Sequence, residues 1–497
     1  MWKNLITFLA LAVLIIAPNP VAAQANYSNL PPVSPMAAAA PLAALSLPGS
    51  GWWSGFQVVN IGTGDATVQV TLYDSKSSAT YQSVSKTIIK NQSYTFATIT
   101  ASDWQTTIPS GFIGSGVINS TQPILAVSNI QNNQSPTNGI AAASFSAIPA
   151  AKTSSTFLFP VAKAGFGSTN KTTSFFIQNT SGSAADISVV FHITSNGGGT
   201  YNHTYSSVGA YQLQVVEPAD AGVPAASLGS ATISSNAQLA GMYIEHETGV
   251  TTATTASATS GFNTATDGDT TIYIPLYLQN VNNTYSGIQV MNTSTTDSST
   301  FTATFYPADG SGPYPGTSGA TPIAPQGSFT FFNVSGWPAT TGAVVIQSSG
   351  SAVPIIAIVN ETLYSVSSNA VYSAFANKNL THCAYAPLWK TDWSGATTFQ
   401  QTMLVVQNAS GTPATVHAVF TMTSGGTGTF TPADRTVAAY NETSYGPAAF
   451  AGGPPSTTPA VGSVTICADQ NIAVMAQENT LAGHPVRDLL EYEAFNQ

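Results

Sequence analysis

The stretch Phe56-Gln-Val-Val-Asn60 decides how this chain is interpreted, because similar stretches follow it three times at intervals of about 115 residues. They are Phe175-Phe-Ile-Gln-Asn179, Ile288-Gln-Val-Met-Asn292 and Met403-Leu-Val-Val-Gln-Asn408. A second motif, Gly114-Ser-Gly-Val-Ile118, recurs at Gly229–Ile233, Gly342–Ile346 and Gly462–Ile466. A proline that follows an apolar or aromatic pair is predicted to open each unit, at Pro48, Pro160, Pro275 and Pro387. The sequence therefore predicts four similar units in tandem.

Each unit has the pattern of short β-strands. Val68, Val70 and Leu72 alternate with polar residues, and this period of two places one face of the strand in a core. Turn-forming clusters such as Asn196-Gly-Gly-Gly199 follow the corresponding strand in every unit. Seven or eight short strands without helical periodicity predict an all-β, immunoglobulin-like (Ig-like) sandwich, with a jelly roll as the alternative. Short junctions predict that the four sandwiches form an elongated rod.

The N-terminus has the features of a secretory signal. Lys3 gives a positive start, an apolar run covers Ile6–Ala17, and Ala23-Gln-Ala25 resembles a cleavage site. No later stretch is long and apolar enough to predict a membrane span. We therefore expect a secreted, extracellular or cell-surface protein without membrane insertion. The predicted segments are a signal peptide at 1–25, an extended N-terminal segment at 26–44, and Ig-like repeats at 45–147, 157–262, 272–377 and 382–497.

The chain carries very little charge. Only 6% of residues are charged, the net charge is −10, and no lysine or arginine lies between Lys171 and Lys378. Binding to nucleic acid requires clustered cations that replace counterions, so this composition excludes that class of partner. The chain is nevertheless 43% hydrophobic and 10% aromatic, which is typical of folded rather than disordered proteins. A polar surface with little charge repels like surfaces weakly and so permits self-association.

The unit pattern resembles the tandem Ig-like repeats of secreted prokaryotic surface proteins. The resemblance rests on the strand-end asparagine, the Thr/Ser-rich turns, Gly229-Ser-Ala-Thr-Ile233 and Ile358-Val-Asn-Glu-Thr362, and it covers nearly the whole chain after residue 25. It implies a stalk, an adhesin, a surface-layer component or a filament subunit. It departs from pilins with lysine–asparagine isopeptide bonds, because the third unit has no lysine before Lys378.

The sequence offers few candidates for chemistry. Glu245 and Glu247 lie on one side of an extended segment, but alternation alone produces such a pair, so a glycosidase site is not favoured. Asp267 and Asp269 lack the rest of a calcium loop. The six histidines are dispersed, and no HExxH, GxSxG or CxxC motif occurs. We therefore predict a protein that is not an enzyme and needs no cofactor or metal.

The two cysteines and the sequons are candidates for modification. Cys383 and Cys467 are predicted to form a structural disulfide in the fourth unit. Asn-X-Ser/Thr triplets are about twice as frequent as chance predicts. They are either glycan acceptors or asparagines that suit strand ends and turns. The candidates are Asn26, Asn91, Asn119, Asn133, Asn170, Asn179, Asn202, Asn282, Asn292, Asn333, Asn360, Asn379, Asn408 and Asn441.

The segment 26–44 has no counterpart at the other junctions. It is either a disordered leader or an extended segment that completes a sheet in a neighbouring copy. The favoured function is a non-enzymatic structural protein that assembles with itself into a surface filament or surface layer. The alternative is a glycan-binding adhesin that uses Trp52, Trp53, Trp389 and Trp393. A secreted hydrolase is the third possibility.

Overall fold

The computed structural model describes residues 38–42, 52–90, 92–132, 142–196, 198–248, 255–263, 267–349, 353–363, 368–391, 400–424, 428–446, 460–480 and 489–496. The predicted signal peptide, Asn26, Asn91, Asn133 and Trp393 lie outside these ranges. The described residues form β-strands in large antiparallel sheets, with only four short 3-10 turns, at Ala101–Asp103, Ala150–Lys152, Pro218–Ala221 and Asn377–Asn379.

The first two units contain eighteen strands. Unit 1 comprises β1 (Ala38–Leu42), β2 (Trp52–Asn60), β3 (Ala66–Asp74), β4 (Thr80–Gln82), β5 (Lys86–Ile88), β6 (Ser93–Ala97), β7 (Gly114–Ser120), β8 (Ile124–Asn132), β9 (Ala142–Ser146) and β10 (Ile148–Pro149). Unit 2 comprises β11 (Ser154–Ala164), β12 (Lys171–Asn179), β13 (Ala185–Ile193), β14 (Gly199–Val208), β15 (Leu213–Val216), β16 (Ser227–Glu247), β17 (Ala256–Ser260) and β18 (Phe262–Asn263).

The last two units contain the other eighteen. Unit 3 comprises β19 (Thr271–Val281), β20 (Thr284–Asn292), β21 (Thr300–Pro307), β22 (Tyr314–Thr317), β23 (Ser328–Phe331), β24 (Thr341–Ser349), β25 (Ile355–Leu363), β26 (Ser368–Ser373) and β27 (Phe375–Ala376). Unit 4 comprises β28 (Thr381–Thr391), β29 (Gln400–Asn408), β30 (Ala414–Ser424), β31 (Gly428–Phe430), β32 (Arg435–Val437), β33 (Glu442–Tyr445), β34 (Ala460–Thr480), β35 (Leu489–Glu493) and β36 (Phe495–Asn496).

All four units share one strand order. The first sheet of each unit contains the opening strand, in the orders β4-β3-β7-β1-β10, β14-β13-β16-β11-β18, β22-β21-β24-β19-β27 and β31-β30-β34-β28-β36. The second sheet contains the strand that ends in asparagine, in the orders β6-β2-β8-β9, β15-β12-β16-β17, β23-β20-β25-β26 and β33-β29-β34-β35. The long strands β16 and β34 run through both sheets, whereas units 1 and 3 use two strands for the same path.

This order differs from the predicted immunoglobulin connectivity. In an immunoglobulin domain the first strand shares a sheet with the second, fifth and fourth strands. Here the opening strand β11 pairs with β16 and β18, and the asparagine strand β12 lies in the other sheet. The units are therefore two-sheet sandwiches, but their strand order is not that of an immunoglobulin domain.

The opening strand of unit 1 also lies elsewhere than predicted. Residues Ala38–Leu42, within the predicted extended segment 26–44, pair with Gly114–Ile118 of β7. The prediction that Pro48 opens the first unit is therefore wrong, and this part of the segment completes a sheet of its own unit.

The repeated glycines mark places where two strands approach closely. A Cβ at Gly114, Gly229 or Gly462 would lie 2.0–2.1 Å from a main-chain oxygen of the neighbouring strand, and one at Gly342 would lie 2.4 Å from such an oxygen. Any larger residue would push these two strands apart. The second recurring motif is therefore explained by backbone packing.

The repeated asparagines hold the turn that follows each asparagine strand. Asn60, Asn179, Asn292 and Asn408 are fully buried. Asn292 Nδ2, for example, donates to the main-chain oxygens of Asp297, Ile323 and Ala324 at 2.7–3.2 Å. The other three asparagines make equivalent bonds. In the folded chain the amide nitrogens of Asn179, Asn292 and Asn408 are therefore enclosed and bonded to main-chain oxygens.

The units form a ring and not the predicted rod. The closing strands β9, β17, β26 and β35 contact one another in cyclic order, so unit 4 returns to unit 1. Ser260 Oγ donates to Ser146 O at 2.9 Å, and Ser373 N donates to Glu493 Oε1. In a rod, the first and fourth units would be too far apart to touch. The short junctions therefore set a sharp turn between units rather than a straight path.

Candidate functional site

Three of the four junctions in the ring are closed by continuous apolar packing. We call the outer surface of the first sheet the front face of a unit, and that of the second sheet its back face. The opening strands β1, β11 and β19 pack on the back faces of units 2, 3 and 4. The core of unit 2 includes Met291 and Ile356 of unit 3, and the core of unit 3 includes Val405 and Met475 of unit 4. Phe176 of unit 2 likewise packs with residues of unit 1.

The fourth junction, which we call the seam, is different. Among the described residues, the apolar core of unit 4 includes none from unit 1, and that of unit 1 includes none from unit 4. A small cavity of about 20 Å³, open to solvent, lies between the two faces. It is lined by Gln57, Val59, Leu125, Ala126, Val127, Asn129, Ser144, Leu388, Glu478 and Tyr492. Closer to the ring centre, Ser144 Oγ donates to Glu491 O at 3.4 Å.

The back face of unit 1 is chemically similar to a face that is buried elsewhere. Gln57, Leu125, Val127 and Asn129 occupy the positions of Gln289, Ile356, Ile358 and Asn360 in unit 3. In unit 3, Ile356 and Ile358 are 1% and 0% exposed under unit 2, whereas the four residues of unit 1 are all partly exposed. The same strand positions are therefore covered in one unit and open in the other.

The front face of unit 4 is the matching open surface. Leu388 and Tyr385 are partly exposed, whereas Leu276 and Tyr273, at the same positions of unit 3, are buried against unit 4. The structure joins Cys383 to Cys467 on neighbouring strands of this same sheet. The seam thus brings together one front face and one back face of the kind that pack together at the other three junctions.

One position of the second sheet recurs at every junction, and the four units fill it differently. By strand register, this position is held by Ile130 in unit 1, Glu245 in unit 2, Glu361 in unit 3 and Glu478 in unit 4. Glu245 Oε2 lies 2.6 Å from Lys163 Nζ, and Glu245 Oε1 lies 3.6 Å from Lys171 Nζ. Burial alone would raise the pKa of Glu245, but the two ammonium groups lower it. This ion pairing explains the residue without a glycosidase role.

Glu478 and Glu361 show the other two arrangements. Glu478 Oε2 lies 2.7 Å from Lys390 Nζ, which repeats the Lys163–Glu245 pair in unit 4. Glu361 has no lysine nearby, since Leu278 occupies the place of the lysine in unit 3. Glu361 accepts a hydrogen bond from Gln477 of unit 4, and Gln477 also donates to Glu491 of unit 4.

A serine–histidine contact occurs in unit 2 but is enclosed. Ser174 Oγ lies 2.8 Å from His246 Nε2, and His246 Nδ1 lies 2.9 Å from the main-chain oxygen of Glu247. Ser174 is 0% exposed and His246 is 2% exposed. Neither group can meet a substrate in this arrangement. Asp267 and Asp269 accept main-chain N–H groups, and no three His, Cys, Asp or Glu side chains within the described ranges are placed to hold a metal ion.

The three described tryptophans of the adhesin interpretation, Trp52, Trp53 and Trp389, do not form an exposed platform. Trp389 is 2% exposed and packs edge-on against Phe420. Trp52 packs against the apolar cluster between units 1 and 2, and Trp53 is partly buried. Of the sequon asparagines outside the strand-end set, the exposed ones are Asn119, Asn170, Asn202, Asn282, Asn333 and Asn379, while Asn360 and Asn441 are partly buried.

Comparison with known proteins gives only weak similarities. No protein-family model and no curated protein matches the chain. The crystal structure of Thermotoga maritima 1070 is 17% identical over 22% of this chain and 93% of its own, with a TM-score of 0.19. The BSP domain of a biofilm-associated protein is 11% identical over 97% of this chain and 99% of its own, with a TM-score of 0.15. The N-terminal domain of the Streptococcus gordonii adhesin Sgo0707 is 8% identical over 75% and 86%, with a TM-score of 0.10.

These TM-scores are too low to support an argument about function. Within the part of the chain that the structure describes, no helix is long and apolar enough to cross a membrane. The seam is the candidate functional surface, and a sequence signal for it is visible in the aligned repeats, where unit 1 keeps the apolar residues Leu125 and Val127 at the positions of Ile356 and Ile358.

Proposed function

We propose that this chain is a non-enzymatic, extracellular structural protein that assembles with copies of itself at a cell surface. The observation that carries this proposal is the seam, where a front face and a back face of matching type are left partly exposed. Each closed junction is an example of such faces packing within one chain. The occupant that fits both open faces is therefore a second copy of this chain.

The proposed contact is head-to-tail. In this contact the seam of each ring opens, and the front face of unit 4 in one copy packs on the back face of unit 1 in the next, which continues the stacking of units 1 to 4 from chain to chain. Such a contact uses two different surfaces, so it produces rings or open filaments. The low charge of the chain lowers the repulsion that opposes it. Glycans, where present, belong on the exposed sequons, and intact-mass measurement of wild type and of Asn202→Gln tests this part.

The test is electron microscopy and light scattering on the secreted chain, with Leu125→Glu on the back face of unit 1 and Leu388→Glu on the front face of unit 4. Wild type is expected to form ordered polymers, and each variant is expected to remain a single chain. The matched control is Ile99→Glu, because Ile99 is 51% exposed and lies outside the cavity lining, and it is expected to polymerise as wild type does. Wild type that stays a monodisperse single chain at high concentration contradicts the proposal.

A further inference from the structure

The junction between units 3 and 4 contains two buried carboxyl groups joined by one amide. Gln477 Nε2 donates to Glu361 Oε2 at 2.8 Å and to Glu491 Oε1 at 2.9 Å. Glu361 is 0% exposed and Glu491 is 3% exposed. Two ionised carboxylates that contact the same amide nitrogen in a buried site would repel each other strongly.

Among the described residues, the surroundings supply no compensating positive charge. Ser286 Oγ of β20 lies 3.5 Å from Glu361 Oε1. Tyr372 of β26 directs its hydroxyl to the main chain of Leu276, and Glu493 of β35 adds a further, half-buried carboxyl. No lysine or arginine of the described ranges forms an ion pair with any of these three glutamates.

We propose that Glu361 and Glu491 share one proton and that this proton stabilises the junction of units 3 and 4. The junction is therefore expected to weaken in alkaline solution. With the proton present, one acid group donates to the other, and Gln477 donates to both. With it lost, two buried negative charges face each other across the junction. The strands that separate are then β26 of unit 3 and β35 of unit 4, which contact each other across the junction. The proposal is independent of self-assembly.

The expected pH dependence follows from the direction of the shifts. Burial raises the pKa of Glu361 well above its ordinary value, and the negative charge of Glu491 raises it further. Burial also raises the pKa of Glu491, to about 7. An acid that holds its proton more tightly in the folded state lowers stability as the pH rises above its unfolded pKa of roughly 4.3. For Glu491, stability is lost between its unfolded pKa and about pH 7. For Glu361 the loss of stability continues to higher pH.

The test is the unfolding temperature between pH 5 and pH 9 for wild type, Glu361→Gln, Glu491→Gln and the control Glu478→Gln. The first two variants keep the shape of the acid and remove its charge. Each is expected to raise the unfolding temperature at pH 8.5 by roughly 2–4 °C and to flatten the pH profile. Glu478→Gln removes the carboxylate of the Lys390–Glu478 ion pair and is expected to lower the unfolding temperature while keeping the slope of wild type.

A measurement on wild type alone covers the case in which a variant fails to fold. Hydrogen exchange of the β35 amides, corrected for the intrinsic effect of pH, is expected to accelerate at least tenfold between pH 6 and pH 9. The β17 amides, whose junction with unit 1 is apolar, are expected not to change. Equal protection of β35 at both pH values, or unchanged slopes in both glutamine variants, overturns the proposal.

Discussion

The back faces of units 1 and 3 carry nearly the same residues and have opposite environments. Val127 and Ile358 occupy the same strand position, yet Val127 is partly exposed at the seam and Ile358 is 0% exposed beneath unit 2. Gln57 and Gln289 correspond in the same way. The difference teaches that burial of a back face is set by the neighbouring unit and not by the strand that carries it. The comparison therefore separates the stability of a unit from the stability of a junction.

The largest difference in the free energy of unfolding is expected between truncations of the two matched residues, Ile358 and Val127. Ile358→Ala removes buried volume from a closed junction and is expected to lower the free energy of unfolding by roughly 2–5 kcal/mol. Val127→Ala removes a partly exposed side chain, and its cost is expected to be below about 1 kcal/mol. Urea unfolding of both variants measures this. Equal costs would show that the seam is as closed as the other junctions.

A smaller effect, with a defined pH dependence, is expected at the junction of units 2 and 3. Glu245→Gln leaves two buried lysines without their carboxylate, and at pH 7 we expect a loss of about 3 kcal/mol. Because the pKa of Glu245 is lowered in the folded state, the stabilisation is present above its unfolded pKa and declines as the pH falls through the folded one. Urea unfolding of wild type and Glu245→Gln at pH 7 and at pH 3 measures this loss of stability. A pH-independent loss would mean that packing, and not charge, explains the cost.

The smallest effect is expected from enlarging the same two residues. Ile358→Phe overfills a closed junction and is expected to cost roughly 1–3 kcal/mol. Val127→Phe extends into the cavity of the seam and is expected to leave the unfolding temperature unchanged or slightly raised. Thermal unfolding distinguishes the two, and a cost at Val127 similar to that at Ile358 would show that the cavity cannot accept the ring.

Much of the unit could be predicted from the sequence, because its strands depend on local patterns. The alternation of Val68, Val70 and Leu72 and the position of the repeated glycine correspond to strands β3 and β7. The asparagine at the end of β2 was recognised, but its bonds to turn carbonyls favour the structural interpretation of the sequons at this position. The strand order was not recoverable, since pairing between distant strands leaves no local signal.

The arrangement of the units could not be predicted from one repeat at a time. A short junction limits the distance between two units but not the angle between them, so the rod and the ring were equally compatible with it. The Glu361–Glu491 pair was missed for the same reason, because its two members lie in different units. The available signal was a glutamate at one position of three repeats, with the lysine at the matching position in only two of them, Lys163 and Lys390.

The seam also determines how the ring responds to force. Tension applied between units 1 and 4 meets the junction with the least apolar surface to expose, and exposing little surface requires little work. The seam therefore parts before the three closed junctions, and the protein lengthens into an arc of four intact sandwiches before any strand is pulled from a sheet. Under load the ring would open at the seam between units 1 and 4, and the seam would close again when the tension is released.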